Sequence, residues 1–168
     1  MENIGIFYGS STGNTETVAK QLQSEFGSDN THIFDVSGAS ADDINKFSNI
    51  IFGASTWGIG DMQDDFDSFM SEIESAKLEN KKVAIFGFGD QDTYADSFVD
   101  AIGEIFENTV NKAGEIVGRI STDGYNYDDS KAEVDGQFVG LPLDDENQSD
   151  LTDQRVKAWV KQLKSQFN

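Results

Sequence analysis

Short apolar runs alternate with amphipathic stretches along most of this chain, and that rhythm narrows the folds open to it. Ile4–Tyr8 reads as a buried strand. In the stretch that follows, Val18, Leu22 and Phe26 recur at a spacing of four, the period of one helix face. Gly27 stands where it can end that helix in the left-handed conformation. His32–Val36 reads as a short second strand, and Asn49–Ala54 as a third that is apolar enough for burial on both faces. Met62, Phe66, Phe69, Met70 and Ile73 mark one face of a second helix, with acids clustered where the dipole of its first turn favours them. Lys82–Phe88 reads as a fourth strand. Phe98, Ile102, Ile105, Phe106 and Val110 predict a third helix closed by Gly114, and Glu115–Ile120 starts a fifth strand. Val156, Val160, Leu163 and Phe167 predict a last helix, acidic at its start (Asp150, Asp153) and basic at its end (Lys161, Lys164).

Alternating strand and helix implies a parallel sheet covered by helices on both faces. Right-handed crossovers then make an open, doubly wound α/β fold. Ligands of such folds sit beyond the carboxyl ends of the strands, where the strand order reverses. The site is therefore expected in the loops after strands one, three and four. Residues 121–136 break the rhythm. They read as an insertion that splits the fifth strand, with Gln137–Leu143 resuming it, and their acids lack the spacing of a calcium loop. The 168 residues suit one domain, 1–168, large enough to need no metal or disulfide staple.

The chain has no cysteine, which removes disulfides, thiol redox chemistry and iron–sulfur ligation together. Electron transfer would need an organic cofactor. A single histidine, His32, argues against a clustered metal site. The net charge of −19 repels nucleic-acid phosphates and anionic membranes and favours basic protein partners. No apolar run has the length of a membrane helix, and no basic segment precedes the first strand. A cytoplasmic monomer without nucleic-acid or membrane partners is the expectation.

The segment after the first strand carries the strongest chemical signal. Tyr8 and Gly9 lead into Ser10, Ser11, Thr12, Gly13, Asn14 and Thr15, and a helix begins there. Amides at a helix start, with short hydroxyl side chains around them, make a phosphate site. An ordinary helix cap needs one such hydroxyl, not a cluster. The nucleotide-hydrolysing loop G-x-x-x-x-G-K-[ST] does not fit, because Gly9 and Gly13 stand too close and no lysine precedes Thr15. The dinucleotide fingerprint fails at Asp92, where Gly87–Gly89 would need a third glycine. The loop therefore suits a terminal phosphate that is held and never transferred.

On these residues the chain resembles the flavodoxins. The run Ile6–Leu22 is similar to their signature, and the likeness continues through Thr56-Trp57-Gly58, Gly89-Asp90, Tyr94-Ala95-Asp96 and Leu141–Trp159. The interrupted fifth strand resembles the long-chain branch of the family, some of whose members carry a lysine where Asn14 stands. The resemblance implies a five-stranded sheet in the order 2-1-3-4-5 with FMN at its switch point, for which flavodoxin itself is the type example. It implies that Ser10, Ser11, Thr12, Gly13, Asn14 and Thr15 bind the FMN phosphate. It also implies that Ser55, Thr56, Trp57, Gly58, Ile59 and Gly60 form one flavin-ring loop, and Phe88, Gly89, Asp90 and Tyr94 the other. Trp57 and Tyr94 would sandwich the isoalloxazine, Tyr94 nearly parallel to it. Glu146 would approach the ribityl chain.

The function so implied is a low-potential one-electron carrier that cycles mainly between the semiquinone and hydroquinone of bound FMN. With both ring faces covered, only the dimethylbenzene edge stays open, which favours electron transfer over substrate turnover. In the family the peptide after the tryptophan turns its carbonyl toward flavin N5 on reduction, and glycine at 58 makes that turn easier. Each acid ~10 Å from the ring raises the energy of the anionic hydroquinone by about 1.7 kcal/mol at an effective dielectric near 20. Asp61, Asp64, Asp65 and Asp90 are candidates for that effect, although Asp64 and Asp65 equally suit a helix start. Implied partners are basic faces of redox enzymes such as ferredoxin–NADP reductase or pyruvate oxidoreductase. An FMN-dependent quinone or azo reductase is the alternative, and it would need an open ring face. A phosphorylatable receiver domain is disfavoured because Gly9-Ser10 and Ser55-Thr56 stand where its acids belong.

Overall fold

The computed structural model describes residues 1–168. In chain order the elements are β1 (Ile4–Tyr8), α1 (Asn14–Phe26), β2 (Thr31–Asp35), α2 (Ala41–Asn45), β3 (Asn49–Gly53), β4 (Thr56–Trp57), β5 (Asp61–Met62) and α3 (Asp64–Ser75). There follow β6 (Lys82–Phe88), α4 (Asp100–Thr109), β7 (Glu115–Ile116), β8 (Ile120–Ser121), β9 (Glu133–Val134), β10 (Gln137–Phe138), β11 (Leu141–Leu143) and α5 (Thr152–Gln166).

The main sheet runs β11-β6-β3-β1-β2, all parallel. β1 pairs with β2 on one side and β3 on the other, so the chain reverses direction across the sheet beside β1. This is the expected order 2-1-3-4-5. The period of two along each strand divides the apolar residues between the two faces. Phe7, Phe52 and Ile85 face α3 and α4, where Phe66, Phe69 and Ile102 cover them. Ile6, Ile51 and Phe86 face α1 and α5, beneath Leu22, Val156 and Trp159. Trp159 is a packing residue: its ring meets Phe86 edge-on at 6.2 Å and its Nε1 donates to Gly118 O at 2.8 Å. No helix is long and apolar enough to cross a membrane.

The fifth strand departs from the expectation. Two short strands, β7 and β11, both pair with β6, and the chain leaves the sheet after Val117, whose N–H still donates to Val83 O at 2.9 Å, and returns at Leu141, a longer excursion than 121–136 alone. Within that excursion β8, β10 and β9 form a separate antiparallel sheet. Gln137 and Phe138 belong to it and not to the resumed strand. Phe138 instead closes an aromatic cluster with Phe98, Tyr125 and Tyr127, at ring distances of 6.2, 5.1 and 5.2 Å. Apolar periodicity marks a strand but does not say which sheet it joins.

Several element ends also differ from those the apolar spacing predicts. Met62 pairs with Thr56 in a short hairpin, and α3 begins after Gln63, whose Oε1 accepts from Phe66 N at 2.9 Å. Phe98 precedes α4, and Val110 follows it. Gly27 ends α1 at φ 106°, ψ 122°, a glycine conformation outside the left-handed helical well. α2 is too short for any period to reveal, and the Asp43 carboxylate closes its start by accepting from Ser40 N at 3.0 Å.

Candidate functional site

β1 continues to Gly9, whose N–H donates to Gly53 O at 3.0 Å, so the loops after β1 and β3 leave the sheet side by side. Gly13 then takes φ 96° just before α1, a conformation that favours glycine. Its N–H is accepted by the Ser10 hydroxyl at 3.0 Å, and its carbonyl accepts from the Thr17 hydroxyl at 2.9 Å. Of the amides from Ser10 to Glu16, Gly13's alone has an acceptor in the protein. Those unpaired donors, with the positive end of the α1 dipole behind them, form an anion cradle. Thr15 is buried, and its hydroxyl shares a hydrogen bond of 2.9 Å with the Ser55 hydroxyl, which ties this loop to the next.

The loop after β3 is the β4–β5 hairpin. Trp57 pairs with Asp61 across a turn in which Gly58 and Gly60 have φ of 52° and 82°. Gly60 N donates to Gly58 O at 3.0 Å. The Thr56 hydroxyl accepts from Ala101 N at 2.9 Å, so the hairpin is fastened to the first turn of α4.

The loop after β6 begins at Gly89, whose N–H donates to Leu143 O at 2.9 Å. A Cβ on Gly89 would lie 2.9 Å from Val99 Cγ1 and 3.0 Å from Val99 N, so a side chain there would push the loop off α4. The Asp90 carboxylate accepts from Thr93 N at 2.9 Å, Asp92 N at 3.2 Å and Asn147 Nδ2 at 2.8 Å. Burial pushes this carboxyl up, but the bonds from Thr93, Asn147 and Asp92 outweigh it and hold the group below the usual carboxylate range. Tyr94 N donates to Asp90 O at 3.0 Å and closes the turn that carries the tyrosine ring.

The three loops meet around a cleft of about 320 Å³, within the range of small-molecule sites. Thr12 and Asn14 line it from the first loop, Ser55, Thr56, Trp57 and Gly58 from the second, and Phe88, Gly89, Asp90 and Tyr94 from the third. Trp57 is 42% exposed and Tyr94 38%, in a protein whose other large rings are mostly buried. The remaining residues singled out in the sequence do not line the cleft. Ser10 caps Gly13, Ser11 Oγ accepts from Gln63 Nε2 at 3.0 Å, and Thr15 bonds Ser55. Ile59 points to solvent at 86% exposure, and Gly60 packs against Asp100.

Two lining residues come from the loop after β11: Glu146, which the resemblance implies, and Asp145, which no motif in the sequence marks. They reach the cleft because Leu143 pairs with Phe88 at the same edge of the sheet. The acidic run Asp144-Asp145-Glu146 directly after an apolar triplet is the signal that could have located them. Gln63, also missed, supports the first loop from the start of α3.

Fold and cleft together define a doubly wound α/β protein built to hold a phosphate-bearing ligand with an aromatic ring at the carboxyl edge of its sheet. The family model described as Flavodoxin matches residues 6–159, and the chain belongs to the flavodoxin family. It is 50% identical to a flavodoxin of Nostoc sp. over 166 residues, covering 99% of this chain and 98% of that one. It is 48% identical to a flavodoxin of Trichodesmium erythraeum, covering 99% of each. Among solved structures, Fusobacterium nucleatum flavodoxin bound to flavin mononucleotide superposes over the whole of both chains with a TM-score of 0.93 at 31% identity.

Proposed function

We propose that the cleft binds FMN and that the protein is a low-potential one-electron carrier of the long-chain flavodoxin type. Flavodoxins are electron-transfer carriers, not enzymes. The observation that carries the reading is the joining of two features in one cleft: unpaired amides at the start of α1, and the exposed rings of Trp57 and Tyr94. The amides and the Thr12 and Asn14 side chains suit a phosphate dianion; the rings suit a flat heterocycle. Stacking on each ring contributes about 0.5–1.5 kcal/mol beyond burial. FMN, when bound, supplies a redox couple that accepts and donates single electrons.

The chain's own groups set the terms of that couple. Gly58 occupies positive φ, so its peptide can turn without the steric cost a side chain would add. Asp90, Asp145 and Glu146 line the cleft, and their charge opposes a second negative charge on the ring. This supports cycling mainly between semiquinone and hydroquinone. The excursion between β7 and β11 supports the long-chain assignment. The net charge of −19 and the outward Ile59 support docking on basic faces of redox enzymes in the cytoplasm. Flanking of the cleft by Trp57 and Tyr94 speaks against a reductase, which needs an open ring face.

An anaerobic reductive titration followed by visible absorbance tests the proposal. A yellow protein that turns blue before bleaching is the expected result. Passage straight from yellow to colourless would leave a two-electron flavoprotein, and failure to take up FMN would overturn the reading.

A further inference from the structure

Asp144 is a fully buried carboxylate at the carboxyl end of β11, and none of the protein's five ion pairs includes it. It is instead surrounded by donors. Its Oδ2 accepts from Gln91 N at 3.0 Å, Gln91 Nε2 at 2.9 Å and Asn147 Nδ2 at 2.9 Å. Its Oδ1 accepts from Glu146 N and Asn147 N, both at 3.1 Å. A buried charge without a cation is tolerated only when hydrogen bonds replace its water, and here five do.

The donors come from both walls of the cleft. Gln91 directly follows Asp90 in the loop after β6, and Glu146 lines the opposite loop. Asn147 Nδ2 lies between the walls, 2.9 Å from Asp144 Oδ2 and 2.8 Å from Asp90 Oδ1. Gln91 extends the network by accepting from Asn126 N at 2.6 Å, which reaches the inserted segment.

We propose that Asp144 is a positioning residue: one buried anion that holds the loops 90–94 and 145–147 at the separation the ligand requires. The inference rests on the reading of the cleft as the FMN site. It assigns Asp144 no contact with the ligand. Because all its contacts are donors, asparagine is a poor replacement despite its shape. Its amide NH₂ would face three donors in the place of Oδ2 or two in the place of Oδ1.

The test compares full-length wild type, Asp144→Asn, Asn147→Ala and Asp150→Asn. Amide hydrogen exchange is read at Gln91, Glu146 and Asn147 before FMN is added, and FMN affinity is then read by fluorescence quenching. Asp144→Asn should weaken FMN binding about tenfold or more and speed exchange at all three amides. Asn147→Ala alters an exposed residue without changing net charge and should weaken binding about two- to fivefold. Asp150→Asn removes the same charge from an exposed position outside the cleft and should stay within about twofold of wild type. Wild-type affinity and exchange in Asp144→Asn would overturn the proposal, as would an equal loss in Asp150→Asn. Should Asp144→Asn fail to fold, wild-type affinity in Asn147→Ala would overturn it. A wild type that takes up no FMN sinks the reading of the cleft instead; faster exchange in Asp144→Asn would then still support the clamp.

Discussion

Replacing Thr15 with valine should loosen the joint between the phosphate loop and the tryptophan loop. The two hydroxyls, Thr15 Oγ1 and Ser55 Oγ, lie 2.9 Å apart. Thr15 is 1% exposed and Ser55 9%, and neither hydroxyl has another protein partner. Valine keeps the shape of threonine, so the backbone is undisturbed, but the Ser55 hydroxyl is left buried and unpaired. Stranding a buried hydroxyl costs about 1–3 kcal/mol. In a chain of this length each kcal/mol lowers Tm by roughly 2–4 °C, so a mid-range loss of about 2 kcal/mol corresponds to about 4–8 °C. Ser55→Ala strands the Thr15 hydroxyl by the same logic. The double variant removes both groups and strands neither, so its cost should fall short of the sum by about 1–2 kcal/mol. Equilibrium urea unfolding of the four proteins, without added FMN, measures this cycle. Single and double costs that add within about 0.5 kcal/mol would refute the shared hydrogen bond as the source of the joint.

Three further outcomes follow from the same geometry. Trp57→Ala or Tyr94→Ala should weaken FMN binding by at least the stacking increment, about two- to tenfold each; calorimetric affinities equal to wild type would remove these rings from the site. The Asp100 carboxyl is raised above 3.8, mainly by burial and only partly offset by the bond from Lys131 N. Its contribution is therefore full below pH 3.8 and lost as pH rises through the folded value, whereas that of Asp90, whose carboxyl is lowered, is present above pH 3.8 and lost on acidification. Urea midpoints between pH 3 and 7 should show Asp100→Asn flattening the first trend and Asp90→Asn the second, and curves parallel to wild type would contradict the assignment. With a net charge of −19 and only five surface ion pairs, the protein should gain stability as NaCl rises from ~10 mM to ~0.3 M, because screening relieves repulsion. A Tm that falls with salt would show that pairing, and not repulsion, dominates.

What sequence could supply here was periodic or local. Strands such as Ile4–Tyr8 and Asn49–Gly53 are apolar on both faces, and that alone requires a sheet covered on both sides. The helices α1, α3 and α5 announce themselves by spacing because each buries one stripe. The cluster of hydroxyls and glycine after the first strand marks an anion loop because its donors lie within a few residues of one another.

Features that depend on distant partners were silent. The order of the strands in chain terms did not reveal that Gln137-Phe138 would leave the main sheet for an antiparallel one, since the same apolar pattern serves both. Nor did it show that Thr15 and Ser11 bond Ser55 and Gln63, residues 40 and 52 positions off. Asp145 and Asp144 illustrate the difference most plainly. They are adjacent aspartates at the start of one acidic run, yet Asp145 lines the cleft and Asp144 is buried under five donors. Hydropathy and local spacing are properties of the chain and fix which residues must be covered and where it can turn. Which hydroxyl meets which, and which carboxylate is desolvated, depends on the register of β6 with β11 and β1 with β3, and only the folded sheet sets that.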